Sequence, residues 1–181
     1  MKNKLGTKNL YYPTLTILAG ANINGKPNYE AIAWGGIIGM KMLYISSGKS
    51  HYTNRGILEN RSFSINIPSV KLVKETDFCG LHSGSKTDKS TIFKSFYGKL
   101  GNAPMITECP VNMECELFET HVIQDHDIFI GKIVETYCDE EYMNNGKADL
   151  KKIQPFFFSF IDSTYWKIGE CFENAMSIGK T

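Results

Sequence analysis

TLTILAGANINGKPNYEAIAW, Thr14 to Trp34, is the stretch on which the fold turns. Thr14 to Ala21 has the β-branched character of a strand, and Asn24-Gly25 is a dipeptide that tolerates positive φ in a two-residue turn. Asn28 to Trp34 then carries the chain back, so a hairpin is predicted. Further out, Met42 to Ser47 forms a third short strand. Ser62 to Ile67 alternates Phe63, Ile65 and Ile67 with Ser62, Ser64 and Asn66, which predicts one dry face and one polar face. Antiparallel pairing suits that alternation.

Between those strands, Thr53 to Asn60 predicts a short helix with Ile57 and Leu58 on one side and Ser50 or Thr53 as its cap. Ser69 is placed to cap a second helix that stops at Gly80 in a positive-φ conformation. Val111, Met113, Cys115 and Leu117 alternate with Asn112, Glu114 and Glu116, another strand with a wet face. Ile128 to Tyr137, Pro155 to Phe160 and Ser163 to Gly169 add further strands. So many strands with two or three short helices predict a mainly β fold, a closed antiparallel barrel with flanking helices, because closure removes exposed edges. An open sheet with helices on one face fits the same pattern.

The 181 residues predict one domain spanning 1–181. Lys and Arg total 20 against 19 Asp and Glu, so no net field draws the chain to nucleic acid or an anionic membrane. Every apolar run is interrupted well short of the ~20 residues a membrane span requires. Five dispersed cysteines and an amino terminus without a signal-like apolar run predict free thiols and a cytoplasmic protein.

Four stretches have the residue types for chemistry. In SSGKSHYT, the hydroxyls of Ser46, Ser47, Ser50 and Thr53, the Lys49 cation, the open Gly48 and a helix start suit a phosphate; an ordinary capped loop has the same composition. GLHSGSKTDKS, Gly80 to Ser90, fails as a nucleotide-triphosphate loop: its glycines are separated by three residues rather than four, Ser85 precedes Lys86, and a helix lies upstream. Ser83, Lys86 and Lys89 remain candidates for a supporting phosphate contact. In AIAWGGIIG, Gly35 and Gly36 after Trp34 leave room for a flat ring, or else mark a bulge beside a core tryptophan. His121 and His126, five residues apart with Asp125 and Asp127 adjacent, match no zinc spacing, so no metal is expected. Cys79 reads as a small buried thiol.

YPT at Tyr12 to Thr14, AWGGI at Ala33 to Ile37, KSHYT at Lys49 to Thr53, FSINIP at Phe63 to Pro68 and DFCGLHSGSKTDK at Asp77 to Lys89 occur in one order. HDIFIGKIVE at His126 to Glu135 and FENAMSIGK at Phe172 to Lys180 continue it. Together they resemble the flavoredoxin branch of the flavin reductase-like, FMN-binding split-barrel family, from about Leu5 to Lys180. The resemblance implies a split β-barrel homodimer binding FMN near the subunit interface. It implies that Ala33, Trp34 and Gly35 lie along the isoalloxazine and that Ser46, Ser47, Gly48, Lys49, Ser50, Tyr52 and Thr53 hold the phosphate. Asn66, Ser83 and Lys89 are further implied cofactor contacts, and His126 is placed on the nicotinamide side.

Two departures stand out: GMKML at Gly39 to Leu43 replaces a frequent proline pair, and Gly48 stands where an arginine is frequent. Lys49, helped by Lys86 or Lys89, is then expected to supply the charge. The implied activity is reduction of FMN by NADH or NADPH, with electrons passed to free flavin or another acceptor. An electron carrier with bound FMN reduced by a partner protein is the alternative, and a flavin-binding module without turnover is a third. Flavin chemistry takes place on the cofactor, so missing catalytic constellations are expected.

Overall fold

The hairpin forms around the predicted turn. Asn24 and Gly25 take φ of 51° and 76°, and β2 (Ile17–Ile23) pairs with β3 (Lys26–Ile32) so that Ile23 faces Lys26. The computed structural model of the protein describes residues 1–11 and 13–180; Tyr12, which opens the YPT stretch, lies outside the described residues.

Before the hairpin comes the two-residue β1 (Thr14–Leu15). After it come β4 (Gly35–Gly39), β5 (Met42–Gly48), α1 (Tyr52–Asn60), β6 (Ser62–Ile67), and a 3-10 turn at Val70–Leu72 that continues into α2 (Val73–Leu81). The short β7 (Ser95–Phe96) and β8 (Met105–Ile106) precede the long hairpin of β9 (Val111–Ile123) and β10 (His126–Cys138). The last elements are β11 (Met143–Asn144), β12 (Lys147–Ala148), α3 (Leu150–Ile153), β13 (Phe156–Ser159) and β14 (Thr164–Lys167).

Seven strands form one antiparallel sheet in the order β3-β2-β6-β9-β10-β5-β4, and β1, β13 and β14 form a second sheet. The large sheet curls: Ile17 and Ile32 near one end share a core with Leu43 and Ile45 near the other, together with Ile57 of α1, Phe63, Leu117 and Phe129. Its edges, β3 and β4, are not hydrogen-bonded to each other. The fold is therefore mainly β with flanking helices, a barrel split along one seam, and not the fully closed ladder that edge removal predicts. Side chains bridge the gap instead, with Ser47 of β5 2.8 Å from Glu30 of β3.

A second core, of Leu18, Tyr29, Cys79, Phe93, Ile106 and Cys109, covers the opposite face of the hairpin. This overturns the predicted wet faces. On β6, Ser62 bonds Asn102, Ser64 bonds the Pro104 carbonyl, and Asn66 is fully buried, because the segment leading to β9 folds over them. On β9, the buried Glu114 accepts from the Lys99 and Leu100 amides and from Tyr137 Oη, each at 2.8 Å. Only Glu116 of the predicted polar set is exposed.

The helix ends also differ from expectation. His51, not Ser50 or Thr53, is the cap residue of α1, and no side chain accepts from its first amides. The Thr53 hydroxyl instead accepts from Asn28 Nδ2 at 2.7 Å. Ser69 does cap the second helical segment through the Lys71 amide, but α2 runs past Gly80 to Leu81 without a left-handed residue.

Gly56 lets α1 approach β2, since a Cβ there would lie 2.6 Å from the Asn22 carbonyl oxygen and 2.7 Å from Ile23 Cγ1. Gly56→Ala gains about 1 kcal/mol of helix propensity but overpacks against backbone, for an expected net loss of about 1–2 kcal/mol. A urea midpoint at or above that of the parent protein would refute the close packing.

Candidate functional site

The split places one strand end from each side of the sheet around a cleft. After β3, Ala33 and Trp34 cross to β4, held by a 2.7 Å bond from the Ser46 amide to the Trp34 carbonyl. Antiparallel register between β10 and β5 sets His126 opposite Gly48. There the His126 ring stacks on Trp34, with centroids 4.9 Å apart and planes at 25°. Phe160, beyond β13, also packs against Trp34, with ring centroids 5.4 Å apart and planes at 51°. Trp34 stays 43% exposed, so it forms the wall of a cleft and not a core residue.

This aromatic cleft holds about 350 Å³, with Thr16, Ile32, Ser46, Asp77, Phe158 and Tyr165 among its lining. Thr16 is 3% exposed, yet among the described residues its Oγ1 has no hydrogen-bond partner. A buried hydroxyl without a partner costs on the order of 1–3 kcal/mol, which a ligand's polar atom can recover. Asp77 accepts from Tyr165 Oη at 2.8 Å, tying α2 to the second sheet across the cleft; burial and this carboxylate push the Tyr165 pKa up.

Beyond Glu30, Ala31, His51, Gly80 and Leu81, the same cleft continues into a polar chamber of about 200 Å³. Ser50, Tyr52, Thr53, Ser83, Gly84 and Lys89 line it. The start of α1 opens here, where uncapped amides carry a partial positive charge. Lys89 is 3% exposed and donates to the Cys79 carbonyl at 3.2 Å, with no other ammonium partner among the described residues, and burial holds its pKa below the ordinary lysine value. A buried cation beside uncapped amides suits an anion.

Between the two halves, the buried Glu30 carboxylate accepts from His51 Nδ1 at 2.6 Å. Ser47 Oγ lies 2.8 Å from the same carboxylate oxygen and 2.6 Å from Asn54 Oδ1. Asn54 Nδ2 donates to the Gly48 carbonyl and to Asp127. The bond to Glu30 raises the His51 pKa.

The residues singled out from the sequence divide clearly. Ala33, Trp34, Ser46, Gly48 and His126 line the aromatic half, and Ser50, Tyr52, Thr53, Ser83 and Lys89 line the polar half. Five others do not line it, among them Lys86, which lines a separate pocket with Lys26 and Asp88. Gly35 opens β4, where a Cβ would come within 3.0 Å of the Tyr44 carbonyl, so that glycine and Gly36 make room for Tyr44; the bulge falls at Ile37 to Gly39. Ser47 is buried and serves the seam. Lys49 is exposed, and its amide bonds Asp125. Asn66 spends its amide on the Leu18 carbonyl, Ser64, Ile106 and Asn112.

Glu30, His51, Thr16 and Tyr165 escaped the sequence reading. A lone carboxylate inside the NYEAI strand was the available signal for Glu30, whereas Thr16 and Tyr165 carry none. The Cys79 thiol is pushed up to about 11 by burial and stays protonated at neutral pH. His121 and His126 do not converge; each sits against its own carboxylate, Glu119 at 3.1 Å and Asp125 at 2.8 Å.

Residues 11–152 match the flavin reductase like domain family. The flavoredoxin of Methanosarcina acetivorans is 42% identical, with a TM-score of 0.96 over 99% of this chain and 98% of that one. The flavoredoxin of Desulfovibrio vulgaris (Miyazaki F) is 34% identical, with a TM-score of 0.92 over 99% and 100% of the two chains. An FMN-binding protein from Thermus thermophilus, 22% identical, shares the fold with a TM-score of 0.81 over 96% of this chain and 100% of that one.

Proposed function

The chain belongs to the flavin reductase like family, and from that premise we propose that it is an FMN-dependent oxidoreductase, one domain over residues 1–181, reduced by NADH or NADPH. The observation that carries this reading is the two-ended cleft. Its residues fit the cofactor on their own chemistry: an aromatic wall and the unpartnered Thr16 hydroxyl at one end suit a flat ring with polar edges. The buried Lys89 and the uncapped start of α1 at the other end suit a phosphate.

Bound FMN supplies the redox chemistry, and the protein supplies orientation, access and electrostatics. On this reading Ala33 and Trp34 flank the ring, while Ser50, Thr53, Ser83 and Lys89 hold the phosphate ester. His126, stacked on Trp34 in the lining of the aromatic half, lies on the nicotinamide side. Electrons leave to free flavin or another acceptor. The β4 edge, with Ile37 87% exposed, and Met40 in the turn just after it, 98% exposed, support a homodimer through that strand. We place the protein in the cytoplasm.

A second reading, an electron carrier whose FMN is reduced by a partner protein, is favoured by the flavoredoxins at 42% and 34% identity. Anaerobic titration of the FMN-loaded protein separates the two. Stoichiometric NADH or NADPH is expected to bleach the oxidised flavin band. A flavin that stays oxidised with both donors transfers the assignment to the carrier.

A further inference from the structure

The polar half of the cleft has a feature that anion binding alone does not explain: a buried carboxylate. Glu30 lines both halves, and its side chain is only 7% exposed. A bare carboxylate there repels the very phosphate that Lys89 attracts. His51 answers it, because its Nδ1 donates to Glu30 at 2.6 Å while its own ring also lines both halves. Gly48 leaves space for that ring: a Cβ there would come within 3.3 Å of His51 Nε2.

We propose that His51, held by Glu30 at the junction of the cleft, is a positioning residue whose protonated ring offsets Glu30 and so makes binding of a phosphate ester depend on pH. This rests on the FMN reading above. Below the ordinary histidine range His51 is charged, and the pair presents no net charge to the ligand. As pH rises through the elevated His51 pKa the ring loses its proton, its offset of Glu30 is lost, and anion affinity falls.

Other charged or titratable groups also face this point. Lys89 on the loop after α2 approaches Glu30 and opposes protonation of His51. His82 and Cys79 of the α2 end line the polar half, and Asp77 of α2, Tyr165 of β14 and His126 of β10 line the aromatic half. Asp127 of β10 reaches the network through Asn54. The phosphate's own second ionisation, near pH 6, acts in the opposite direction, so the informative window lies above about pH 7.

The test is the Kd of FMN and of riboflavin, which lacks the phosphate, between pH 6.5 and pH 9 at fixed ionic strength. The parent protein, Glu30→Gln and His51→Gln are compared by quenching of flavin fluorescence. FMN affinity of the parent is expected to fall about tenfold across the window while riboflavin stays flat, a size typical of one charge-assisted contact. In Glu30→Gln the fall should move toward the ordinary histidine pKa of about 6.5. His51→Gln, at a half-exposed side chain that the fold tolerates, should bind weakly at pH 6.5 and lose most of the dependence.

A His51→Gln profile as steep as that of the parent assigns the effect to Lys89 or His82 and overturns the proposal. So does an equal fall for riboflavin, or a parent that binds FMN with no pH dependence. A parent that binds no flavin at any pH overturns the FMN reading itself, a distinguishable result.

Discussion

Lys89→Met is expected to weaken FMN binding by about 1.5–3 kcal/mol, roughly 10- to 150-fold in Kd, the worth of a charge-assisted contact in a water-poor site. The side chain is buried at the polar end of the cleft, with one donor on the Cys79 carbonyl and no other partner among the described residues. Methionine matches its aliphatic stem without the ammonium and removes the cost of burying a charge, so the fold loses little beyond one bond to a carbonyl. Riboflavin affinity should hardly change, because the lost partner is the phosphate. Lys49→Ala, at an exposed side chain outside the cleft, should change Kd by less than about threefold, the scale of a screened surface charge. The reverse ranking, measured by fluorescence quenching at one ionic strength, would return the phosphate to Lys49.

That ranking inverts what the sequence suggests, for a physical reason. Lys49 sits in a serine-rich turn before a helix, the local signature of a phosphate loop, whereas Lys89 sits in a polar stretch that reads as surface. Burial of Lys89 follows from how the loop after α2 folds back beneath Cys79 and toward Glu30, and no local pattern encodes that path. The helix start was legible, and its amides do open into the cleft; its cation comes from forty residues further on.

The hairpin was legible because Asn24-Gly25 determines its own φ values, independently of any distant contact. Trp34 was open between a core ring and an exposed one, and its neighbours His126 from β10 and Phe160 from beyond β13, with 43% of its surface exposed, make it the wall of a cleft. Glu30 and His51 belong to one unit through a bond across the seam, a relation between residues that neither period nor propensity carries. The alternation of β6 does mark two faces, but polarity on one of them does not mean solvent contact. The serines and asparagine there bond the chain that covers them, which satisfies polar groups as well as water does.

Asn66 is the sharpest case, and Asn66→Ala is expected to destabilise the protein by about 3–5 kcal/mol without a matching loss of flavin affinity. The residue has no exposed surface. Its Nδ2 donates to the Leu18 carbonyl of β2 at 2.9 Å, and its Oδ1 accepts from the Ile106 amide at 2.9 Å and from Asn112 Nδ2 at 2.8 Å. One side chain thus joins β2, β6, β8 and β9. Alanine leaves the Ile106 amide and the Leu18 carbonyl without that partner in a dry interior and opens a cavity the size of an amide, whereas Asn112 keeps its bond to the Ile106 carbonyl. Of a typical 5–15 kcal/mol of stability this is a large share, so the urea midpoint should fall steeply at unchanged slope. Flavin binding measured well below that midpoint should stay within about twofold, since the cleft lies along the seam between β3 and β5 and Asn66 does not line it. A variant of parental stability that binds FMN tenfold more weakly would place Asn66 at the flavin, and would require the β6 face to open when the cofactor enters.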